Sequence, residues 1–431
     1  MLSCADEALA ARDPLLPDLR LLLDADACRS LIADRLGWPV QLTPRYLRYK
    51  PGTSCVLAAD VLTSAGEQSW LITSYAAESA QKVAKAVECA PEGSVLIADP
   101  DRGLLIATAA ADRDLPGLAA LHDRRRQRLL RRLLGQHDLV VDGPQLRTIR
   151  HNPHRRWVGT LRATNGPQAL LRAYRPEHMR ASTDAIAALA RSELGTPRLL
   201  GRHKRLGVAA LEFLPGVTLA ELGHPDDRGR DCAGYRSAGV ALARLHACTG
   251  LALAPIAATA EVTSVLKSSR QLARLIPGTA AEVKGLTDSV AARLRALPSL
   301  QRPLHGDFSA DQVVIGDGGQ GALIDLDSAR LGDPASDLAC AAAALFRDVV
   351  LGGCSPERYD RRLRALFDGY LSAGADIDMD RLATHEAAHL LRRAVEPFRL
   401  RRTPEWAVAA RLLIKRTGEV LRAGSLSGAL R

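Results

Sequence analysis

Two stretches of the chain repeat one pattern, and this repeat constrains the fold more than any other feature of the sequence. The first stretch begins at Arg48-Tyr49-Lys50-Pro51, and the second begins about 100 residues later at Arg150-His151-Asn152-Pro153. In each stretch a β-hairpin pattern precedes an Ala-rich helical pattern, near 78–89 and 180–192, and two further short apolar runs. A hairpin, a helix and further strands form a small α+β lobe, so the sequence predicts two related lobes.

The remainder of the chain is mostly helical in pattern. From 226 onward helical periods recur up to about 421, and a β-hairpin pattern at 312–315 and 322–324 interrupts them. A chain of 431 residues that is 47% apolar and 25% charged can bury cores for two or three domains. We therefore expect two α+β lobes followed by a larger helical domain.

Charge and cysteine usage limit the partners and the compartment. The net charge is +10, and the densest basic run, 124–132, shares its segment with leucines, which predicts an amphipathic helix. That helix is either a solvated linker or a docking face for an acidic partner. No concentrated basic patch and no run of ~20 apolar residues stand out, so we expect neither a nucleic-acid nor a membrane partner. An acidic N-terminus and eight scattered cysteines without a C-x-x-C pair predict reduced thiols and a cytoplasmic location.

The residues that can carry chemistry are concentrated at 305–337. The loop His305-Gly306-Asp307 precedes one strand of the predicted hairpin, and Asp325 and Asp327 follow the other, with Gln312 between them in sequence. Asp307 is a candidate base, while carboxylate and amide oxygens at the same rim of the hairpin suit Mg²⁺. A base that accepts a hydroxyl proton and a metal that holds phosphates are the groups that phosphoryl transfer requires.

These motifs resemble those of the aminoglycoside phosphotransferase and choline kinase-like family, whose fold is similar to that of protein kinases. The family pattern H-G-D-x-x-x-x-N, followed by I-D-[WFL]-[ED]-x-A-x-x-G-D-P-x-x-D-L-A, matches the segment 305–339 except that Gln312 replaces Asn. The segments 242–246 and 211–216 resemble the family's L-x-x-L-H helix and the hinge between its lobes. The resemblance covers the chain from about 146 to the C-terminus.

The resemblance implies a protein-kinase-like bilobal α+β fold, with a small β-rich N-lobe, a larger helical C-lobe and an extra N-terminal degenerate copy of the N-lobe. The degenerate copy would span 1–140 and end in the basic linker helix. The nucleotide-binding N-lobe would span 141–222, and the helical C-lobe with the catalytic and metal site would span 223–431. Thr73 stands in the first copy where the second has Arg172, so we expect the first copy to bind no nucleotide and to cap the N-lobe or help to bind the acceptor.

The resemblance also implies roles for the polar residues of 305–337. Asp307 would be the catalytic base, Asp325 the main Mg²⁺ ligand, and Asp327 would lie near the metal or the acceptor. Gln312 would stand at the position of the second metal ligand, where its extra methylene shifts the amide oxygen by about a bond length. His305 would brace the loop rather than carry a proton.

A nucleotide site follows from the same resemblance. Arg172 on the third strand would bind phosphate oxygens, onto which a guanidinium can form forked hydrogen bonds. Asp184 is the nearest acid that could pair with this cation, and the backbone of Glu212, Phe213 and Leu214 would receive the adenine. The predicted co-substrate is ATP or GTP, with Mg²⁺ as the cofactor.

The resulting prediction is a Mg²⁺-dependent phosphotransferase that moves the γ-phosphate of ATP or GTP to a hydroxyl of a small molecule, such as an antibiotic, a sugar or an amino alcohol. Two alternatives remain open: a kinase of Ser or Thr hydroxyls on a peptide precursor before dehydration, and a catalytically inactive binding module. His385-Glu386-Ala387-Ala388-His389 also matches the H-E-x-x-H zinc signature, but the longer pattern at 305–337 disfavours it. Asp333 and Asp337 fit turn and capping positions at the start of the next helix.

Overall fold

The computed structural model describes residues 2–64, 66–76, 79–123, 126–135, 145–163, 166–190, 194–222 and 228–423. The chain divides into two compact units. Unit 1 comprises Met1–Arg180, Leu199–Phe213 and Phe398–Trp406, and unit 2 comprises Ala181–Arg198, Leu214–Pro397 and Ala407–Arg431. The predicted domain boundary at 140 lies outside the described residues, and the boundary after 222 adjoins 223–227, which also lie outside them. The division into three domains therefore stays a prediction.

Three short helices precede the first sheet of unit 1. They are α1 (Cys4–Ala11), α2 (Leu19–Leu23) and α3 (Ala25–Leu36). Side-chain caps fix two of their starts, because the Ser3 hydroxyl and the Asp24 carboxylate accept hydrogen bonds from backbone amides of the first turns of α1 and α3. The buried carboxylate of Asp6 accepts hydrogen bonds from Arg401 and from the Trp406 indole, which joins the segment at 398–406 to these helices.

The first repeat folds into a five-stranded antiparallel sheet with one helix. Its elements are β1 (Gln41–Lys50), β2 (Ser54–Thr63), β3 (Gly66–Tyr75), α4 (Ala80–Glu88), β4 (Val95–Asp99) and β5 (Leu104–Thr108). The strand order is β1-β2-β3-β5-β4. The register places Arg48, Val56 and Thr73 opposite one another, and therefore on one face of the sheet.

The second repeat folds into a sheet with the same order. Its elements are β6 (Gln145–Asn152), β7 (Arg156–Ala163), β8 (Gly166–Tyr174), α7 (Pro176–Leu189), β9 (Leu199–His203) and β10 (Val208–Glu212), in the order β6-β7-β8-β10-β9. Here Arg150, Val158 and Arg172 lie opposite one another. Thr73 thus occupies in the first sheet the position that Arg172 occupies in the second. The shared order agrees with the sequence repeat, and the origin of the first sheet as a degenerate copy stays a prediction.

Two helices between the sheets in sequence cover the other face of the second sheet. These are α5 (Pro116–His122) and α6 (Arg126–Leu134). The α6 leucines are buried against Trp157 and Leu171, while its arginines lie on the opposite side, as the amphipathic pattern predicts. Arg124 and Arg125 lie outside the described residues.

Unit 2 is mostly helical. It contains α8 (Arg228–Ala247), α9 (Ala258–Leu275), α10 (Ala280–Ala296), α11 (Ala335–Val350), α12 (Pro356–Ser372), α13 (Met379–Arg393) and most of α15 (Trp406–Ala423), while α14 (Glu396–Leu400) crosses between the units. The long helical pattern at 380–421 is broken where Arg401 adopts a φ of +52° shortly before Pro404. Helices α8 and α12 pack closely at Gly239. A Cβ at this position would lie 2.1 Å from the Leu366 carbonyl oxygen, so the close packing requires glycine.

Short strands of unit 2 carry the motif residues. A three-stranded sheet has the order β11 (Val217–Thr218), β13 (Val313–Ile315), β14 (Gly321–Leu323), and β12 (Arg302–Leu304) pairs with β15 (Arg330–Gly332). The hairpin β13–β14 is the one that the sequence predicts. Among the described residues, no helix has the length and apolar character needed to cross a membrane.

Candidate active site

A buried carboxylate at the start of α11 holds the loop that contains Asp307. Asp337 is 1% exposed and accepts hydrogen bonds from the backbone amides of His305, at 2.6 Å, and Gly306, at 2.9 Å. The third donor is His246 Nε2 on α8, at 3.2 Å, and the Tyr370 hydroxyl lies 2.8 Å from Nδ1 of the same ring. The sequence prediction that Asp337 caps its helix is wrong, because its carboxylate is used by the loop before the hairpin.

The same contacts determine the charge of Asp337. Burial raises the pKa of this carboxyl, but the hydrogen bond and charge of His246 and the hydrogen bond from the Gly306 amide together hold the pKa below its ordinary value. Asp337 is therefore a carboxylate at neutral pH. A carboxylate is a stronger acceptor than a neutral amide or acid, so the loop is held by charge-assisted hydrogen bonds.

His305 links this loop to the residue before Asp325. Its Nε2 lies 2.7 Å from the carbonyl oxygen of Ile324, so Nε2 must carry the proton. Its Nδ1 then accepts the hydrogen bond from the Asp307 amide at 3.4 Å. With its ring fully buried and both nitrogens used, His305 braces the loop, in agreement with the sequence prediction.

Asp325 adopts a left-handed backbone conformation at the end of the hairpin. Its φ and ψ are +58° and +46°, a region that costs a non-glycine residue of order 1 kcal/mol and that Asp tolerates better than most. Its neighbour is fixed on both sides, because the Ile324 amide donates to the Gln312 carbonyl at 2.9 Å and the Ile324 carbonyl accepts from His305. Asp325 and Gln312 therefore lie at the same end of the hairpin, next to the loop of Asp307.

Gly306 makes this close approach possible. Its φ is +85°, and a Cβ at this position would lie 2.2 Å from the Ser328 carbonyl oxygen. Any other residue would force the loop of Asp307 away from the turn that follows Asp325. The glycine of the H-G-D motif is thus required by the contact between the two segments.

Asp307 is more exposed than its neighbours and faces a buried arginine. Its side chain is 61% exposed, and its Oδ1 lies 3.5 Å from Nη2 of Arg393 on α13. The Cys340 thiol on α11 donates toward the same Oδ1 at 3.8 Å and accepts from Arg393 Nη2 at 3.1 Å. Arg393 also pairs with Glu396 at 3.1 Å. Arg393 and Cys340 were not predicted from the sequence. They lie on helices that pack against the loop, and no local sequence pattern indicates this packing.

The charges of this group are consistent with its contacts. Burial lowers the pKa of Arg393, but the charges of Glu396 and Asp307 and the contact with Cys340 outweigh this effect and raise the pKa to well above its ordinary value. Burial raises the pKa of the Cys340 thiol to about 11, against the opposing charge of Arg393. Arg393 is therefore a cation and Cys340 a neutral thiol beside Asp307 at neutral pH.

The predicted metal ligands provide oxygen atoms. Gln312 is 5% exposed, and its amide nitrogen donates to Asp311 at 3.1 Å, which leaves the amide oxygen as the atom able to face a cation. Asp325 and Asp327 are half-buried, and Asp327 lies in the short turn after Asp325. No group of three His, Cys, Asp or Glu side chains able to hold a metal occurs in the described parts of the chain. The donors are thus two carboxylates and one amide oxygen, a set that suits Mg²⁺ with water and phosphate as its other ligands.

Arg172 and the predicted adenine-binding residues lie on strands of the second sheet or just after it. Arg172 is 2% exposed on the central strand β8, opposite Val158 and Ala209. Glu212 ends β10, and the chain passes from unit 1 to unit 2 between Phe213 and Leu214, where the sequence predicts a hinge. Asp184 is exposed on α7.

The H-E-x-x-H motif on α13 forms separate contacts. His385 Nε2 lies 3.4 Å from Asp333, whereas His389 Nε2 lies 3.2 Å from the Ser336 hydroxyl. Glu386 lies between them in sequence and is fully buried. Neither of its carboxyl oxygens has a hydrogen-bond partner within the described residues. The two histidines thus serve the packing of α13, which leaves the zinc interpretation without support.

A sequence profile of the phosphotransferase enzyme family (APH) matches residues 146–385, which is more than half of the chain. The chain belongs to this family. It is a phosphotransferase, and its helices and antiparallel sheets agree with the α+β class that the sequence predicts. The match begins at β6, so the first sheet lies outside it.

Solved structures show a more distant likeness. Aminoglycoside phosphotransferase APH(3'')-Id from Streptomyces rimosus is 16% identical, with a TM-score of 0.45 over 62% of this chain and 98% of that one. A choline/ethanolamine kinase family protein from Mesorhizobium loti is 17% identical, with a TM-score of 0.46 over 68% and 93%. Choline kinase LicA from Streptococcus pneumoniae is 12% identical, with a TM-score of 0.47 over 70% and 100%. No curated protein matches the sequence. The assignment therefore depends on the family match.

Proposed function

We propose that the chain transfers the γ-phosphate of ATP or GTP to a hydroxyl of a small molecule, with Asp307 as the catalytic base. The observation that carries this proposal is the hydrogen-bond network around Asp337. Its carboxylate fixes the amides of His305 and Gly306, and His305 in turn fixes the residue before Asp325. This network supports a role for Asp307 and Asp325 in phosphoryl transfer, because that reaction depends mainly on positioning and electrostatics.

Asp307 has the exposure and the support that a base needs. Its carboxylate would accept the proton of the acceptor hydroxyl as the acceptor oxygen bonds to the γ-phosphorus and the bond from that phosphorus to the β-bridging oxygen breaks, which releases the nucleoside diphosphate. Arg393 would act as a positioning residue, because its guanidinium lies 3.5 Å from Oδ1 and is itself anchored by Glu396. A fixed cation beside one oxygen leaves the other oxygen for the acceptor.

The oxygen donors at the end of the hairpin would hold Mg²⁺. Asp325 would be the main ligand, Gln312 would stand at the second ligand position through its amide oxygen, and Asp327 would lie near the metal or the acceptor. When bound, the metal neutralises charge on the nucleotide phosphates. Asp325 has a left-handed backbone conformation, which is strained for a non-glycine residue. The hydrogen bond between His305 and the preceding residue helps to hold the chain in this conformation beside the loop of Asp307.

The nucleotide site would lie along the second sheet. Arg172 would bind phosphate oxygens, a role that follows from the family resemblance and from its place on the central strand β8. The proposed partner Asp184 and the adenine contacts of Glu212, Phe213 and Leu214 follow from the family resemblance. The choice between ATP and GTP would depend on these backbone contacts.

The net charge favours a neutral or acidic acceptor. A protein with a net charge of +10 repels a polycationic acceptor at long range. A neutral sugar or alcohol is compatible with this charge, and so is a Ser or Thr hydroxyl on an acidic peptide, which is the second candidate that the net charge favours. All eight cysteines are free, which fits a reducing compartment such as the cytoplasm.

A transfer assay with a divided acceptor panel tests the proposal. The chain is incubated with γ-labelled ATP or GTP, Mg²⁺ and neutral sugars, amino alcohols, aminoglycosides or acidic Ser-containing peptides. Label on an acceptor, lost by 10²-fold or more in Asp307→Asn, is the expected result. Asp288→Asn on α10 is the matched control, because this carboxylate pairs with Lys284 on the exposed surface. Equal transfer by wild type and Asp307→Asn would contradict the assignment of the base.

A further inference from the structure

A small basic pocket lies on the first sheet of unit 1, and of its lining residues His154 alone falls within the family match. Its volume is about 60 Å³, and its polar lining includes Arg48 and Lys50 of β1, Ser54 of β2, Arg113, Asp114 and His154. We call this set the basic pocket. Pockets that hold whole drug-sized ligands measure roughly 300–1,000 Å³, so the basic pocket has room for a single small group.

The positive charges of the basic pocket exceed its negative charges. Three cationic side chains line it against one carboxylate, and that carboxylate, Asp114, is already paired with Arg175 at 2.6 Å and lies 3.5 Å from His154. Within the described parts of the chain, neither Lys50 nor Arg113 forms an ion pair or a side-chain hydrogen bond. Their charges are therefore available to a ligand.

The neighbouring charges increase the positive potential. Burial lowers the pKa of Arg48, and the cations Arg155 and Arg175 lower it further. Burial also lowers the pKa of Lys50, and the positive charge of Arg48 lowers it further. Positive groups that are crowded together and partly desolvated gain free energy when an anion binds among them.

The wall formed by 112–114 and 154 is fixed in place. The buried carboxylate of Asp112 accepts from the His154 backbone amide at 2.7 Å, and its oxygens lie 3.0 Å from the rings of His151 and His154. Arg48 Nη1 donates to the Pro153 carbonyl at 3.0 Å. The tip of the hairpin β6–β7 is thus bonded both to Arg48 and to the segment that carries Arg113. The pocket is preorganised, which lowers the entropic cost of binding.

The register places this pocket on a particular face. Arg48 lies opposite Val56, which lies opposite Thr73, and Lys50, two residues on, shares that face. The matching face of the second sheet carries Arg172 opposite Val158. On this face, the first sheet therefore lacks a cation on its central strand but carries two, Arg48 and Lys50, on its first strand.

We propose that the basic pocket binds a phosphate group. The group is either inorganic phosphate or the terminal phosphate of a larger molecule whose remainder stays outside the pocket. Arg48, Lys50 and Arg113 supply the charge, and the Ser54 hydroxyl supplies a neutral donor. This site is separate from the proposed transfer site and does not depend on it.

Binding of inorganic phosphate to the full-length chain, measured by isothermal titration calorimetry, tests the proposal. The variants are Lys50→Met and Arg113→Met, which keep the apolar stem and remove a charge that has no protein partner. Arg29→Met is the matched control, because Arg29 pairs with Asp26 on the exposed surface of α3 and with no other carboxylate of the described residues. We expect each pocket variant to weaken phosphate binding about tenfold and the control to leave it unchanged. Equal thermal unfolding of all variants shows that the fold is retained.

A second titration with ADP in the absence of Mg²⁺ identifies the source of the phosphate. If the pocket substitutions weaken ADP and phosphate together, the pocket takes the terminal phosphate of a nucleotide. If ADP binding is unchanged while phosphate binding falls, the pocket takes free phosphate or another phosphorylated compound. The proposal is overturned if millimolar phosphate shows no saturable binding, if both variants bind as wild type does, or if an acidic peptide binds and phosphate fails to compete.

Discussion

Replacing Asp337 by asparagine removes the one negative charge on which the loop of Asp307 depends. Asparagine has a single carbonyl oxygen, so one of the two amides, that of His305 or Gly306, loses its acceptor, and the other exchanges a charge-assisted hydrogen bond for a neutral one. Hydrogen bonds to charged groups contribute roughly 1.5–3 kcal/mol, and a buried donor left without an acceptor costs about 1–3 kcal/mol. We therefore expect the free energy that opposes opening of the loop to fall by about 3 kcal/mol.

Hydrogen exchange measures this free energy at the loop itself. A loss of about 3 kcal/mol corresponds to roughly 100-fold faster exchange of the amides of His305 and Gly306 in Asp337→Asn. The matched control is Asp288→Asn on α10, where an exposed pair with Lys284 contributes less than about 1 kcal/mol. Because its contacts hold the pKa of Asp337 below the ordinary value, protection of the loop in the wild type should persist down to that lowered pKa and be lost as the pH falls through it. Unchanged exchange at both amides in Asp337→Asn would refute this account of the loop.

Three further predictions follow from the site and its surroundings. Arg393→Met should lower kcat by at least tenfold with little change in nucleotide affinity, and Arg393→Lys should restore part of the rate. A parallel rise in the KM for nucleotide, with kcat unchanged, would contradict a positioning role. Gln312→Asn should change the Mg²⁺ dependence of turnover, because it shortens a proposed ligand by one methylene, and identical Mg²⁺ titrations would exclude Gln312 as a ligand. Burial raises the pKa of Glu386 to about 7, against the opposing charge of Arg416. The unfolded chain releases this proton near pH 4.5, so stability should fall by roughly 3 kcal/mol as the pH rises from about 4.5 to about 7. Glu386→Gln should remove that decline in urea titrations, and an unchanged pH slope would show that Glu386 is already ionised.

Local patterns predicted the elements that depend on neighbours in sequence. The hairpin β13–β14 follows from two apolar runs around a Gly-rich turn, and the repeat predicts two sheets because each strand pairs mainly with the next one. The resemblance also implied that His305 braces the loop of Asp307, and the hydrogen bonds of its two ring nitrogens agree with this role. The order of strands within each sheet could not be predicted from local patterns, because β5 pairs with β3, and β10 with β8, across an intervening helix and strand.

Contacts between residues distant in sequence could not be predicted in this way. Asp337 resembles a capping residue when only its own helix is considered, and its real partners are backbone amides 31 and 32 residues earlier. Arg393 approaches Asp307 only because α13 packs along α11, and its segment carries the misleading H-E-x-x-H pattern. The first sheet resembles a degenerate lobe in sequence, whereas its basic pocket is formed by strands β1, β2 and β3 together with residues that follow β5 and β6.

The central claim is that Asp325 holds the metal with which a nucleotide binds, while Asp307 serves the transfer step. Thermal unfolding with ATP or GTP, each with and without Mg²⁺, tests it directly in wild type, Asp325→Asn and Asp307→Asn. A ligand at 100 times its Kd adds about 2.7 kcal/mol to the free energy of unfolding, which raises the melting temperature measurably. The account predicts a Mg²⁺-dependent rise in wild type and Asp307→Asn that is absent in Asp325→Asn. An equal rise in all three proteins, or none in the wild type, would contradict it.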